Sequence, residues 1–252
     1  MKIGFLITAR LKSTRLPKKL LLNVSGSTYI QWLIKRLKLV KTLDEIVVCT
    51  SENPQDDPLV ELASKEHISA FRGSEEDVIL RLYQATIKYD LDYVINMTAD
   101  CPFVPFDYID DLVETFLNTN ADLVKCHNFV PGFFLSGLKI SAMKRLIELK
   151  GSNNTEYWLY YFLKTDLFKI IELNVNPKLS RPNYRFILDY PEDHQFLNTI
   201  FQHFGKNTYK MSSAALIKYV DQNPELVLIN KKCHELALQR TNQDKHSKVI
   251  FK

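Results

Sequence analysis

Residues 2–19 read Lys2-Ile3-Gly4-Phe5-Leu6-Ile7-Thr8-Ala9-Arg10-Leu11-Lys12-Ser13-Thr14-Arg15-Leu16-Pro17-Lys18-Lys19. From Lys2 to Thr8 the run is short and apolar, rich in Ile, Phe and Leu, and suits a buried strand. From Thr8 to Lys19 there are five cations, three hydroxyls and no acid. A loop leaving the C-terminal end of a first strand lies where open α/β sheets take their ligands. Arginine forks, lysine point charges, hydroxyls and backbone N–H groups together match phosphate oxygens, so a triphosphate is the economical ligand. The loop carries neither a Walker A pattern nor a G-x-G-x-x-G turn, and the usual ATPase and dinucleotide readings fail.

The charge around this loop is uneven. Residues 1–43 carry ten Lys or Arg and no Asp or Glu, whereas the remainder holds 23 basic and 29 acidic residues. Positive charge is thus concentrated where an anion could be received. For Lys35, Arg36, Lys38 and Lys41, on the helix that follows, the plainer reading is a solvated basic face. Four scattered cysteines with no CxxC pair argue for buried reduced thiols. The N-terminus has no signal-peptide pattern and no apolar stretch is long enough for a membrane helix, so a cytoplasmic protein without membrane insertion is expected.

Beyond the loop, strand-like and helix-like segments alternate. Ile30, Leu33, Ile34, Leu37 and Val40 recur at helical spacing, with Ser25 or Ser27 as the expected N-cap. Strands are expected at 45–50, 67–71, 93–98 and 121–126, with helices at 58–65, 78–89 and 108–116 between them. This order predicts an α/β fold, a doubly wound and mostly parallel sheet, with a small α+β elaboration in the second half. There, helices are expected at 141–149, 154–163 and 191–204, and strands at 168–173 and 184–188. Residues 1–240 read as one domain and 241–252 as a loosely held polar tail.

Four segments then carry a resemblance. Ala9–Lys19 resembles the AR-x-x-S-T-R-L-P-x-K signature of the CMP-sugar synthetases, which include CMP-Kdo and CMP-sialic acid synthetases, and is closest to the spore-coat-polysaccharide type of cytidylyltransferase. Phe71–Arg81 (FRGSEEDVILR) resembles that subgroup's RGS-x-x-DVL-x-R segment, Asn96–Pro102 (NMTADCP) its TGDCP segment, and Leu188–Asp193 (LDYPED) its LD-x-PED segment. The resemblance implies a Rossmann-like nucleotidyltransferase that transfers CMP from CTP to the anomeric hydroxyl of a sugar acid and releases pyrophosphate for surface polysaccharide synthesis. It implies that Arg10, Ser13, Arg15 and Lys19, with Ala9, grip the nucleotide phosphates. Asp100 and Asp189 would hold Mg²⁺, for which the structural alternatives are a turn cap and an N-cap. Thr50, Arg72 and Thr98 would face the nucleotide, against a strand end for Thr50 and an ion pair with Asp77 for Arg72. Lys18 and Ala99 replace family glycines.

The acceptor side is less regular. Glu156 lies in Asn154-Thr155-Glu156-Tyr157, where the subgroup has REH, and His127 and Asn128 follow a strand; these three are the sugar-binding candidates. The aromatic cluster around Trp158 is either packing or the contact of an expected homodimer. The enzymatic alternatives are transfer to a sugar phosphate or phosphonate, and a glycosyltransferase-like protein using a CMP-sugar as donor. A nucleotide- or RNA-binding module is the non-enzymatic one. Nucleic acid is disfavoured as a partner because residues 9–19 contain no aromatic to stack on bases.

Overall fold

Strand β1 (Ile3–Thr8) buries five of its six residues, because both of its faces are covered by helices. The computed structural model describes residues 1–247 and 249–252, with side chains described outside 243–248. After β1 come a short hairpin, β2 (Asn23–Val24) and β3 (Ser27–Thr28), then α1 (Tyr29–Leu37) and β4 (Glu45–Ser51). The chain continues through α2 (Asp57–Lys65), β5 (Ser69–Gly73), α3 (Val78–Lys88), β6 (Tyr93–Thr98) and α4 (Ile109–Thr119). The second half adds β7 (Leu123–Cys126), β8 (Leu135–Lys139), α5 (Ile140–Leu149), α6 (Leu159–Leu163) and β9 (Ile170–Glu172). It closes with α7 (Pro191–Phe204), α8 (Ser213–Gln222), α9 (Leu226–Ile229) and α10 (Lys231–Ser247).

Among the described residues one sheet runs β5-β4-β1-β6-β8-β7-β9, and only β8 opposes the common direction. The fold is the expected mostly parallel, doubly wound sheet. The chain steps outward from β1 to β4 and β5, then crosses back to place β6 on the other side of β1. That reversal between β1 and β6 opens a crevice at their C-terminal ends. Thr8 pairs with Thr98 there, and the Ala99 N–H donates to the Thr8 carbonyl at 2.9 Å. One face of the sheet buries Leu33, Ile34 and Leu37 of α1 with Phe196 and Phe201 of α7. The other buries Ile79, Leu82 and Ala85 of α3 with Leu146, Tyr161 and Phe162. Full burial of each such aliphatic or Phe side chain contributes about 1.5–3 kcal/mol.

Several expectations need correction. Helix α1 is capped by Thr28, not Ser25 or Ser27, in a reciprocal box with Gln31. Ser25 and Gly26 instead form the two-residue hairpin turn, both at positive φ (48° and 84°). Arg36 is no part of a solvated face; it is 1% exposed and donates to the carbonyls of Val104, Thr208 and Met211. Residues 154–163 are helical only from Leu159, and 184–188 pair with no strand. Trp158, Tyr161 and Phe162 are buried within the chain, the packing alternative for that cluster. The final residues are not a loose tail as far as they are described. Helix α10 runs to Ser247, and beyond 248 the Gly151 N–H donates to the Ile250 carbonyl at 2.6 Å while Phe251 bridges Lys150. All four cysteines are buried free thiols, and no helix among the described residues is long and apolar enough to cross a membrane.

The reversed strand β8 depends on Gly137. A Cβ at this position would collide with Tyr93 Oη and Leu112 Cδ2, so glycine is what lets the Tyr93 ring lie across the strand. The buried Tyr93 hydroxyl has no hydrogen-bond partner. Gly137→Ala is expected to destabilise by about 1–3 kcal/mol through overpacking. Tyr93→Phe alone should be neutral or stabilising, because it removes an unpartnered polar atom. In urea unfolding the double variant should recover part of the Gly137→Ala loss, since Leu112 Cδ2 and the Tyr93 ring carbon still crowd the new Cβ; strictly additive effects would refute this account of β8.

Candidate active site

The cation-rich loop leaves β1 with its course set by a buried carboxylate. Asp56, fully buried, accepts the Leu11 N–H at 2.7 Å on one oxygen and the Ser51 hydroxyl at 2.5 Å on the other. The loop ends at Lys18, whose backbone is left-handed (φ 51°, ψ 28°). That region of backbone space favours glycine, which has no Cβ. A lysine there costs about 1–2 kcal/mol of backbone strain. It also delivers Lys19 into a 3₁₀ turn (Lys19–Leu21) with its side chain directed inward, 8% exposed.

Lys19 Nζ lies 2.9 Å from Asp100 Oδ2 and 2.7 Å from Asp189 Oδ1. Asp100 follows β6 directly. Asp189 is brought to it by the extended segment 184–188, whose Leu188 N–H donates to the Asp100 carbonyl at 2.8 Å. Asp189 does not cap α7. Tyr190 is the N-cap, Pro191 takes the first helical position, and Asp193 reaches back to the N–H groups of Asp189 and Tyr190 at 3.0 and 3.1 Å. The Asp189 carboxylate is therefore free to face the crevice, where Arg15 Nη2 (3.2 Å) and Arg185 Nη2 (2.9 Å) also reach it. Burial alone would raise the Asp189 carboxyl, but Lys19, Arg185 and Arg15 together hold it well below its ordinary range. Burial likewise opposes the charge on Lys19, and Asp100 and Asp189 outweigh it to leave the ammonium raised.

The opposite wall is set by a buried knot. Asp77 caps α3, accepts the Lys150 ammonium at 2.6 Å and accepts the Thr155 hydroxyl at 2.9 Å. Thr155 Oγ1 in turn accepts the Ile79 N–H at 3.0 Å. This pins the segment after α5 against the start of α3 and places Glu156 and Trp158 on the rim. The result is a cleft of about 420 Å³ whose lining includes Ala9, Arg10, Ser13, Arg15, Lys19, Thr98, Asp100, Glu156 and Asp189. Arg10 donates to the Glu75 carbonyl at 2.8 Å and faces Glu156 at 4.0 Å, while Lys12 pairs with Glu75 and Glu76.

Four candidate residues fall outside this lining. Thr50 is fully buried, with a hydroxyl that has no partner. Arg72 is bound to Asp57 Oδ1 at 2.5 Å and to the Ser51 and Asn53 carbonyls, not to Asp77. His127 and Asn128 donate their N–H groups to Glu172 at the end of β7. Burial, reinforced by Lys125, lowers the His127 imidazole to about 4, so it is neutral at pH 7. Sequence reasoning missed Arg185 and Arg240, both beside Asp189, because neither sits in a recognisable motif. It also missed the Asp77–Lys150–Thr155 knot, although Asp77 stands in the RGS-x-x-DVL segment. Burial and then Asp100 raise the Cys101 thiol well above its ordinary value, so that neighbour of Asp100 is no nucleophile.

Residues 5–154 match the model of the family described as cytidylyltransferase. The chain belongs to the cytidylyltransferase family. It is similar to the spore coat polysaccharide biosynthesis protein SpsF of Bacillus subtilis, at 26% identity over 230 residues, covering 88% of this chain and 95% of that one. It is similar to the 3-deoxy-manno-octulosonate cytidylyltransferase of Fusobacterium nucleatum over a shorter span, at 32% identity over 129 residues and 49% of each chain. Among solved structures, a cytidylyltransferase from Leptospira borgpetersenii superposes with a TM-score of 0.83 at 29% identity, covering 90% of this chain and 97% of that one. This cytidylyltransferase thus places its TGDCP-like and LD-x-PED-like acids against one lysine of its first loop.

Two outcomes follow for stability. Asp77→Asn leaves Lys150, 7% exposed, as an uncompensated buried charge and should cost about 3–5 kcal/mol in urea unfolding. The Asp77→Asn/Lys150→Met pair should cost less than the single change. For the cleft cluster, the depressed Asp189 carboxyl stabilises the fold above the ordinary value of 3.8 and loses that contribution as pH falls. The raised Lys19 ammonium stabilises below 10.5 and loses its contribution as pH rises past that value. Melting temperature should therefore fall on acidification below about pH 4, and less steeply in Asp189→Asn; equal slopes would contradict the assignment.

Proposed function

We propose that this cytidylyltransferase uses CTP and transfers CMP to the anomeric hydroxyl of a sugar acid of ulosonic or nonulosonic type, releasing pyrophosphate. The observation that carries the reading is the Lys19 ammonium held between Asp100 and Asp189, beneath a loop that presents Arg10 and Arg15 to the same cleft. Kinship with a protein of polysaccharide biosynthesis and with a 3-deoxy-manno-octulosonate cytidylyltransferase supports the sugar-acid class.

Two carboxylates gathered round one ammonium fit a hard cation that takes oxygen ligands and completes its shell with water and phosphate. Among the described residues there is no larger cluster of His, Cys, Asp or Glu for a softer metal. Asp100 and Asp189 would hold Mg²⁺, which supplies charge neutralisation at the phosphates and acidifies a hydroxyl near it. Lys19, displaced from the carboxylates, and Arg15, which now pairs with Asp189, would turn to the phosphate oxygens. Arg10, held by the Glu75 carbonyl, is already directed at the cleft. These cations neutralise charge that grows on the departing pyrophosphate as the acceptor hydroxyl attacks the α-phosphorus in line. Ser13, Ala9 and Thr98 line the nucleotide side, and Glu156 on the opposite rim would accept acceptor hydroxyls. Positioning of two bound substrates does much of the remaining work, and no covalent enzyme intermediate is required.

Calorimetric titration with CTP, UTP, ATP and GTP in the presence of Mg²⁺ tests the nucleotide half. CTP should bind selectively, and Arg15→Ala should weaken it by about tenfold or more through loss of a charge-assisted contact. Asp100→Asn should retain its fold and lower the rate of sugar-acid-dependent pyrophosphate release by roughly a hundredfold or more. Equal binding of all four nucleotides would overturn the assignment.

A further inference from the structure

Helix α10 is anchored at its start beside the cleft, and the chain beyond residue 248 is anchored again. At its start, Asn230 is 2% exposed and donates to the Arg185 carbonyl and to Asp193 Oδ1, both at 3.0 Å, beside the Asp189 wall. Cys233 Sγ lies 3.6 Å from Glu192 Oε2 on the same wall. Beyond residue 248, the chain is joined to Lys150 and Gly151, and the Ile250 N–H donates to Tyr161 Oη at 3.2 Å. Those contacts belong to the wall that carries Glu156 and Trp158. Between the two fastenings, Arg240 projects from α10 into the lining of the cleft.

The other cations of the lining are engaged by short contacts. Lys12 is held by Glu75 and Glu76, Arg10 by the Glu75 carbonyl, and Arg15 and Lys19 by Asp189. Arg240 Nη2 stands 3.7 Å from Asp189 Oδ2, an oxygen that already accepts Arg185 at 2.9 Å. Its side chain is 37% exposed and lines the cleft beside the Asp189 carboxylate, whereas Arg15 takes the other oxygen of that carboxylate. A guanidinium in that position is matched to a planar carboxylate, which it can take with two parallel hydrogen bonds.

We propose that Arg240 binds the carboxylate of the acceptor and so makes this enzyme select an acidic sugar; the proposal rests on the CTP-dependent reading above. The experiment measures pyrophosphate release from CTP with 3-deoxy-manno-octulosonate and N-acetylneuraminate as acceptors, in wild type, Arg240→Gln and Arg240→Lys. With whichever acid is turned over, Arg240→Gln should raise its KM about tenfold to a hundredfold and leave the KM for CTP within about twofold. Arg240→Lys should fall between the two, because the charge is kept and the fork is lost. The carboxamide of the same acid should show one KM in wild type and Arg240→Gln. Thermal melting of the variants checks that α10 remains in place. An unchanged acceptor KM, or an equal loss of CTP affinity, would overturn the proposal and leave the CTP reading intact. So would a wild type that binds CTP yet uses a neutral sugar or a sugar phosphate and neither acid. A wild type that fails to bind CTP removes the reading and the proposal together.

Discussion

One shared ammonium organises the cleft. Lys19 can satisfy both Asp100 and Asp189 only if three distant parts of the chain converge: the turn after β1, the end of β6 and the segment before α7. Each carboxylate alone beside the sheet edge would be an expensive, partly desolvated charge. Paired with the lysine, and in the case of Asp189 with Arg15 and Arg185 as well, they are compensated. The strained backbone at Lys18 follows from the same demand, since it turns the chain so that the next side chain points inward. A polar cluster of this kind contributes little net stability compared with an apolar packing of equal volume.

The parallel half of the fold was legible because its signals are local. Buried strands such as EIVVCT and YVINMT and the apolar faces of α1 and α3 require only neighbouring residues to be read. Strand β8 was not legible, because Leu135-Ser136-Gly137 reads as a turn and its glycine answers to Tyr93, more than forty residues away. Residues 184–188 have strand composition, yet their N–H groups find the carbonyls of Pro131 and Asp100 instead of a ladder. Arg36 shows the same limit: its sequence neighbours suggest a wet face, and its partners lie in chain segments brought over it by the fold.

The candidate site divides in the same way. Arg10, Ser13, Arg15, Lys19, Asp100, Glu156 and Asp189 could be named from the sequence, and the fold brings all seven to one cleft. Thr50, Arg72, His127 and Asn128 could also be named, but Thr50 is sealed inside the sheet and the other three are held elsewhere by contacts the sequence does not display. Arg240 stands in a polar helix with no motif around it. Only the anchorage at the start of that helix and the contact with Asp189 give the residue its address.

The Asp77–Lys150–Thr155 knot has a consequence for how this chain can be recombined with its relatives. The family match ends at residue 154, which invites treating the first 154 residues as a cassette that could be joined to another second half. Thr155 lies just past that seam, and its hydroxyl is bound to the cap of α3 deep in the first half. Residue 251, nearly a hundred positions later, returns to pair with Lys150. A chimera cut at the seam would separate a buried charge from part of its shell and cut the C-terminal segment off from its docking strip. Workable crossovers would have to move 77, 150, 155 and the returning C-terminus as one inherited unit, so the two halves of the chain cannot be exchanged at the seam without disturbing the core.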